Sequence, residues 1–414
     1  MSSASLIAHG PQLFPGCPFH FQHFETLLQV PLSRPDVGSL EKHRLLAVLE
    51  SGRLALGEQL LAFEAGMARR CGTRHAVAVS SGTAALHLIV RGLGLGPGDE
   101  VITTPFSFVA SANALLFEGV RPRFVDIDPA TYNLDVTQAA EAVGPKTKAL
   151  LAVDVFGVPA PWPALTALAQ AHDLLLIDDA CEALGASVGG RPIGAWGDAA
   201  AFGFYPNKQI TTGEGGCLTT NDEALAERCR SMRNQGRGDD AVMTHVRLGF
   251  NYRMDELSAA LGAAQLERLP ELLARRAAVA EAYAVALTPL RDDLALPPEP
   301  GPDVERSWFV YVVRLRDHFA PEAREALMAR LHAAGVACAP YFPSIHLQPY
   351  YRERFGFRPG SFPVCEAVSA RTLALPFFPQ MTETEVAYVA EALTAALAGL
   401  PRIRPLLPLD DARP

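Results

Sequence analysis

The stretch "LLLIDDACEALGA" (174–186) begins with four branched apolar residues, meets two adjacent aspartates, and then runs on through small residues. A short apolar run with no polar alternation fits a strand buried on both faces, as in a parallel sheet covered by helices. Its acidic end then lies at the rim of the sheet, and ligands of open α/β sheets bind beyond the carboxyl ends of the strands. Carboxylates so placed suit a metal, a ribose or a cationic ring nitrogen. A metal would need further ligands at useful spacing, which the neighbouring sequence lacks. One of the two aspartates reads equally well as a helix-start carboxylate.

The same pattern extends to both sides. Apolar runs at 76–79, 100–104, 122–126, 149–155, 199–204 and 216–220 complete a set of seven candidate strands. Helix-like segments at 82–93, 108–118, 135–143 and 162–172 fall between them. Strands alternating with helices predict an α/β fold with a mostly parallel seven-stranded sheet flanked by helices. Residues 222–236 and 254–288 also read as helices, and "LPPEPGP" (296–302) marks a break. Beyond it, a strand at 308–315 and a helix at 321–334 lead through a long loop to a last helix, with Thr382 and Glu385 as its capping box. The expected organisation is an N-terminal extension (1–30), a large domain (31–290), a smaller α+β domain (291–398) and a Pro-rich tail (399–414).

Composition narrows the function. The chain has 414 residues, a net charge of −9 and no basic run, so nucleic acid is not an expected partner. Seven scattered cysteines without CxxC or Cys/His spacing fit reduced thiols and predict neither disulfides nor a metal site. No apolar run approaches the roughly 18 residues of a membrane span. The first thirty residues lack a signal peptide's basic start and apolar run, and a cytoplasmic location is expected.

Two more constellations carry chemistry. In "SSGTAALHL" (80–88), Gly82, Thr83 and Ala84 open a helix directly after a strand, where free amides and the helix dipole suit a phosphate. An ordinary N-cap explains the same residues. In "FGFYPNKQITTGEGG" (202–216), Lys208 is conspicuous because only Lys42, Lys146 and Lys148 accompany it, while every other basic residue is arginine. A lysine forms an imine with a carbonyl and arginine does not. A phosphate cradle, a carboxylate and such a lysine, all at strand ends, together fit pyridoxal 5′-phosphate.

With these blocks in place, the chain resembles the DegT/StrS-type family of PLP-dependent nucleotide-sugar aminotransferases, of the aspartate-aminotransferase-like fold type I. The resemblance runs from about Pro31 to Leu397 through "SGRLALGEQLLAFE", "GPGDEVITTPFSFVASANA", "FVDIDPATYNLD", "GFNYRMDELSAALGAAQLERL" and the stretches quoted above. It implies that Lys208 forms the aldimine and then acts as acid and base, that Asp179 faces the pyridine nitrogen, and that Phe108 stacks on the ring. It places Glu182, usually glutamine in the family, near the phenolic oxygen. Gly82, Thr83 and Ala84 match the phosphate-binding turn. Asn251 or Arg253 would reach the phosphate in a neighbouring subunit, which makes a homodimer with shared active sites the working unit. Arg34, Tyr341 and His346 match positions on the substrate side.

The implied reaction moves an amino group from L-glutamate to a keto group of a nucleotide-linked deoxysugar, by way of the pyridoxamine phosphate form, for polysaccharide or secondary-metabolite sugars. One departure stands out: the family's usual serine five residues before the lysine is Gly203 here, which removes a hydroxyl from the phosphate site. Two other readings stay open. A sugar dehydratase of the family would carry histidine in place of Lys208, and a non-catalytic regulator would be expected to have lost Lys208 or Asp179.

Overall fold

The structure is a computed structural model and describes residues 28–238, 244–320 and 322–402. Most of the expected N-terminal extension, Cys17 and most of the tail lie outside the described residues. All seven expected strands form one sheet: β1 (His75–Val79), β2 (Glu100–Thr103), β3 (Arg121–Phe124), β4 (Thr147–Val153), β5 (Leu175–Asp179), β6 (Ala199–Gly203) and β7 (Gly216–Thr220). Their order is β1-β7-β6-β5-β4-β2-β3. Every neighbouring pair is parallel except the two that involve β7.

Side-chain alternation explains why the inner strands are mostly apolar on both sides, while β3 at the edge exposes Arg121 and Arg123. In β1, Val77 and Val79 join one core, and Ala76 and Ala78 join another on the opposite face. Helices Gly82–Gly92 and Glu223–Arg233 cover the first face, and Glu58–Cys71 and Trp162–Ala171 cover the second. Phe63 on the second face meets Phe204 edge to face at 5.2 Å. Truncating such a fully buried phenylalanine to alanine costs about 3–5 kcal/mol.

A second sheet is antiparallel and contains β8 (Leu294–Ala295), β9 (Tyr311–Leu315), β10 (Ala339–Pro340) and β11 (Thr372–Leu375), in the order β8-β9-β11-β10. It packs on helices Ala323–Ala333 and Glu383–Leu397. The 31-residue helix Glu256–Ala286 joins the two layers: Ala259, Ala263 and Leu269 lie in a core of the large sheet, and Val279, Ala280 and Tyr283 lie in that of the small one. Its first turn also organises the chain ahead of it. The buried Glu256 carboxylate accepts from the amides of Gly57, Gln59 and Leu60, capping helix Glu58–Cys71 from a distance.

The strand order decides where a site can form. The ends of β1, β5 and β6 and the start of the reversed strand β7 become neighbours at one edge. Packing there is tight enough to require glycine: a Cβ on Gly216 would lie 2.2 Å from the Ser81 carbonyl oxygen.

Candidate active site

At that edge lies a cavity of about 510 Å³, lined among others by Gly82, Thr83, Phe108, Asp179, Glu182 and Lys208. The turn after β1 enters helix Gly82–Gly92 through Ser81, whose Oγ accepts from the Ala84 amide at 3.1 Å. The N-cap explanation and the anion-site explanation therefore describe the same turn, because the first amides of a helix have no intrahelical partner. A Cβ on Gly82 would meet the Gly203 Cα at 3.1 Å and Cys181 Sγ at 3.0 Å, contacts tight enough that a neighbour would have to give by a few tenths of an ångström. Position 203 is different. A Cβ there meets nothing closer than Cys181 Sγ at 3.5 Å, an ordinary contact, so the backbone at 203 does not require glycine.

The two aspartates at the end of β5 divide between the faces of the sheet. Asp179 lines the cavity, and its Oδ2 accepts from Ser111 Oγ at 2.6 Å, while Oδ1 accepts from the Cys181 amide at 3.3 Å. Asp178 is fully buried and accepts from the Gly194 amide at 3.1 Å. It meets Asp154: desolvation raises both carboxyls, and the charge of Asp154 raises Asp178 further. Neither aspartate caps a helix, since 181–185 form turns.

Lys208 follows β6 by a tight turn in which its amide donates to the Tyr205 carbonyl at 2.9 Å. Its Nζ lies 3.7 Å from Glu182 Oε1 and 3.8 Å from the centroid of the Phe309 ring. Glu182 is buried, and its Oε2 accepts from the Phe156 amide at 2.9 Å. Desolvation lifts its carboxyl above the ordinary range, against the opposing pull of Lys208. Burial thus makes this carboxyl a weaker acid than an exposed glutamate.

The other expected residues scatter. Tyr341 lines the cavity, its hydroxyl accepting from Asn207 Nδ2 at 3.2 Å, and burial pushes its phenol up to about 12. Phe108 is 62% exposed and borders both this cavity and a second, of about 730 Å³, lined by Phe117, Tyr350 and Tyr351. His346 is fully buried, between Glu366 at 3.0 Å and the rings of Phe357 and Phe362, and lines neither cavity. Arg34 sits over the Phe378 ring beside Glu385, also outside both. Asn251 is exposed, and Arg253 Nη1 donates to Asn234 Oδ1 at 3.0 Å. Neither enters this chain's cavity, although their segment runs beside β1, with the Ser80 amide donating to the Tyr252 carbonyl.

Ser111, Asn207 and Phe309 also line the cavity and were not singled out by the sequence. Ser111 could have been found one helical turn after Phe108, whereas Phe309 arrives from the small sheet and carries no local signal. Among the described residues, no group of three or more His, Cys, Asp or Glu could hold a metal, and no helix is long and apolar enough to cross a membrane.

Comparison with known proteins agrees with this geometry. The model of the DegT/DnrJ/EryC1/StrS aminotransferase family matches residues 35–394. The GDP-perosamine synthase of Caulobacter vibrioides is 36% identical over 90% of this chain and 99% of its own. The structure of DesV from S. venezuelae, solved with a ketimine intermediate, superposes with a TM-score of 0.83 at 35% identity, covering 91% of this chain and all of that one. Spr1654 of Streptococcus pneumoniae, in its PLP form, gives a TM-score of 0.84 at 26% identity, over 90% and 99% of the two chains. The protein is an aminotransferase with the mixed α/β fold type I architecture, and the chain belongs to the DegT/DnrJ/EryC1/StrS aminotransferase family.

Proposed function

We propose that the protein transfers an amino group from L-glutamate to a keto carbon of a nucleotide-linked deoxysugar, with pyridoxal 5′-phosphate as its cofactor. The observation that carries this reading is the meeting of Lys208, Asp179 and the first turn of helix Gly82–Gly92 on the walls of one cavity. The residues fit the cofactor: Gly82 and Thr83, on the cavity wall, offer a helix start to the phosphate, and Gly82 and Gly203 approach each other with no side chain between them. Asp179 offers a carboxylate to a ring nitrogen and Phe108 an aromatic face. The name of the Caulobacter relative supports a nucleotide-linked sugar as the substrate.

Bound there, the cofactor supplies an aldehyde that exchanges amines and a ring that accepts an electron pair. The protein's own groups do the rest. Asp179, oriented by Ser111, holds a proton on the nitrogen facing it. Lys208 provides the primary amine that is released in the first half-reaction and restored in the second, and in between it takes and returns the substrate's proton. Glu182, whose carboxyl burial raises above the ordinary range, faces the amine on the lysine side of the cavity. A cytoplasmic homodimer completes the proposal. It is supported by the position of Asn251 and Arg253 outside their own cavity, and by exposed Leu46 and Leu49 on helix Ser39–Ser51, Leu61 on helix Glu58–Cys71 and Leu54 between them.

The test is to incubate the protein with pyridoxal phosphate, L-glutamate and a panel of 3-keto and 4-keto sugar nucleotides, following product mass. We expect a new amine from at least one of them. Lys208→Ala should lower the rate by roughly 10³-fold or more. No amine from any of the panel would sink the reading.

A further inference from the structure

Arg276, in the middle of helix Glu256–Ala286, is 3% exposed. Among the described residues no carboxylate pairs with it, and burial alone pushes its guanidinium down to about 10. A buried unpaired cation is costly, and an apolar residue of similar volume is often the more stable choice at such a position. What the arginine does there is hold carbonyls. Nη2 donates to the Lys208 carbonyl at 2.6 Å and to that of Asn207 at 3.4 Å, while Nη1 donates to the Phe309 carbonyl at 3.1 Å.

These acceptors belong to separate parts of the site. Asn207 and Lys208 end the turn after β6, whereas Phe309 precedes β9 of the small sheet and presents its ring to Lys208 Nζ at 3.8 Å. One planar fork therefore fixes both the backbone from which the lysine springs and the ring on which its amine rests. Lysine, with a single flexible ammonium, cannot reproduce that two-sided grip. Glu182 closes the remaining side of the amine at 3.7 Å.

We propose that Arg276 is the positioning residue of Lys208, tying the lysine's carbonyl to that of Phe309 and so setting where the amine stands in the cavity. The inference rests on the reading of Lys208 as the lysine that takes up the cofactor. It concerns the lysine's placement rather than cofactor affinity, because Arg276 does not line the cavity.

The experiment loads wild type, Arg276→Lys, Arg276→Met and Phe309→Leu with pyridoxal phosphate. It measures total cofactor retained and, after borohydride reduction and peptide mapping, the fraction fixed to Lys208. We expect retention within about twofold in all four proteins. The fraction fixed should fall about tenfold in Arg276→Met, less in Phe309→Leu, and recover partly in Arg276→Lys, as loss of charged hydrogen bonds implies. If Arg276→Met does not fold, a reduced fraction in folded Arg276→Lys with retention unchanged carries the same conclusion. Folded Arg276 variants that fix the cofactor as wild type does would overturn the proposal. So would parallel loss of retention and fixation without rescue by lysine, which marks a merely structural role. An adduct missing from Lys208 already in wild type is a separate result, and it removes the underlying reading itself.

Discussion

Asp178 and Asp179 share one peptide bond and one side-chain chemistry, but β5 turns them to opposite faces of the sheet. On one face, Asp179 opens into the cavity and accepts a hydroxyl hydrogen bond from Ser111. On the other, Asp178 is sealed against Asp154, where each carboxyl keeps one oxygen without an N–H or O–H donor. Asp154 uses its other oxygen to accept from the Ala160 amide at 2.6 Å and from Trp162 Nε1 at 2.9 Å. Two buried carboxyls in contact are best accommodated by holding a proton between them. The period-two alternation of a strand thus separates a charge kept available to a ligand from a charge that the fold suppresses.

The largest effect should come from the cavity face. Asp179→Asn keeps shape and removes charge, so the aminotransferase rate should fall about 10²–10³-fold, as when one preorganised electrostatic partner is lost. Thermal stability across pH should follow wild type. A rate within threefold of wild type would show that this carboxylate is not the one that matters.

The buried face should answer in the opposite way. Asp154→Asn retains an oxygen for Ala160 and Trp162 and turns an amide towards Asp178. In wild type the Asp154 carboxyl is raised to about 7, with burial as the main cause. A raised carboxyl binds its proton more tightly in the folded state, so its stabilisation is full in acid and is lost as pH climbs from about 4 to about 7. The variant lacks that loss. Its advantage over wild type should grow through this window towards an upper bound of about 4 kcal/mol by pH 8, read from thermal midpoints at successive pH values. Cofactor uptake should not change. Parallel midpoint curves would mean that the pair holds no such proton.

The division between the faces also marks what the sequence could disclose. Apolar runs identify the inner strands of the large sheet, because burial on both faces leaves no room for polar alternation, whereas β3 at the edge alternates exposed arginines with buried residues. Thr382 and Glu385 cap the last helix reciprocally, Thr382 Oγ1 accepting from the Glu385 amide at 3.2 Å and Glu385 Oε2 from the Thr382 amide at 2.8 Å. Local rules of this kind are written in neighbouring residues. Which aspartate faces the cavity depends on strand phase, and the family resemblance rather than the pattern singled out Asp179. His346 reads as a loop histidine, but Phe357 and Phe362 from the same loop fold over it and Glu366 takes its ring nitrogen. Arg276 and Phe309 reach Lys208 only after the small sheet has packed on the long helix, so nothing near the lysine announces them.

Gly203 offers the smallest and most selective probe of the cavity face. Ala199 and Ala201 of β6 pack on the same side of the sheet as Val77 and Ile177, and alternation sends a side chain at 203 to that side, where the position lines the cavity. The added Cβ would meet Cys181 Sγ at 3.5 Å, the Gly82 Cα at 3.6 Å and the Cys181 Cβ at 3.8 Å, none of them a clash. A serine there places a hydroxyl beside the first turn of helix Gly82–Gly92, where the proposed phosphate would gain one more donor. A hydrogen bond to a charged group contributes roughly 1.5–3 kcal/mol, and ordering the hydroxyl offsets part of that, so Gly203→Ser should tighten pyridoxal phosphate binding about tenfold. Stability without cofactor should shift by no more than about 0.5 kcal/mol, and its pH dependence should match wild type. Unchanged affinity, measured by fluorescence titration of the cofactor-free protein, would mean that the helix amides and Thr83 already satisfy the phosphate. Gly203 would then be a neutral departure from the family pattern rather than a weak point in the cradle.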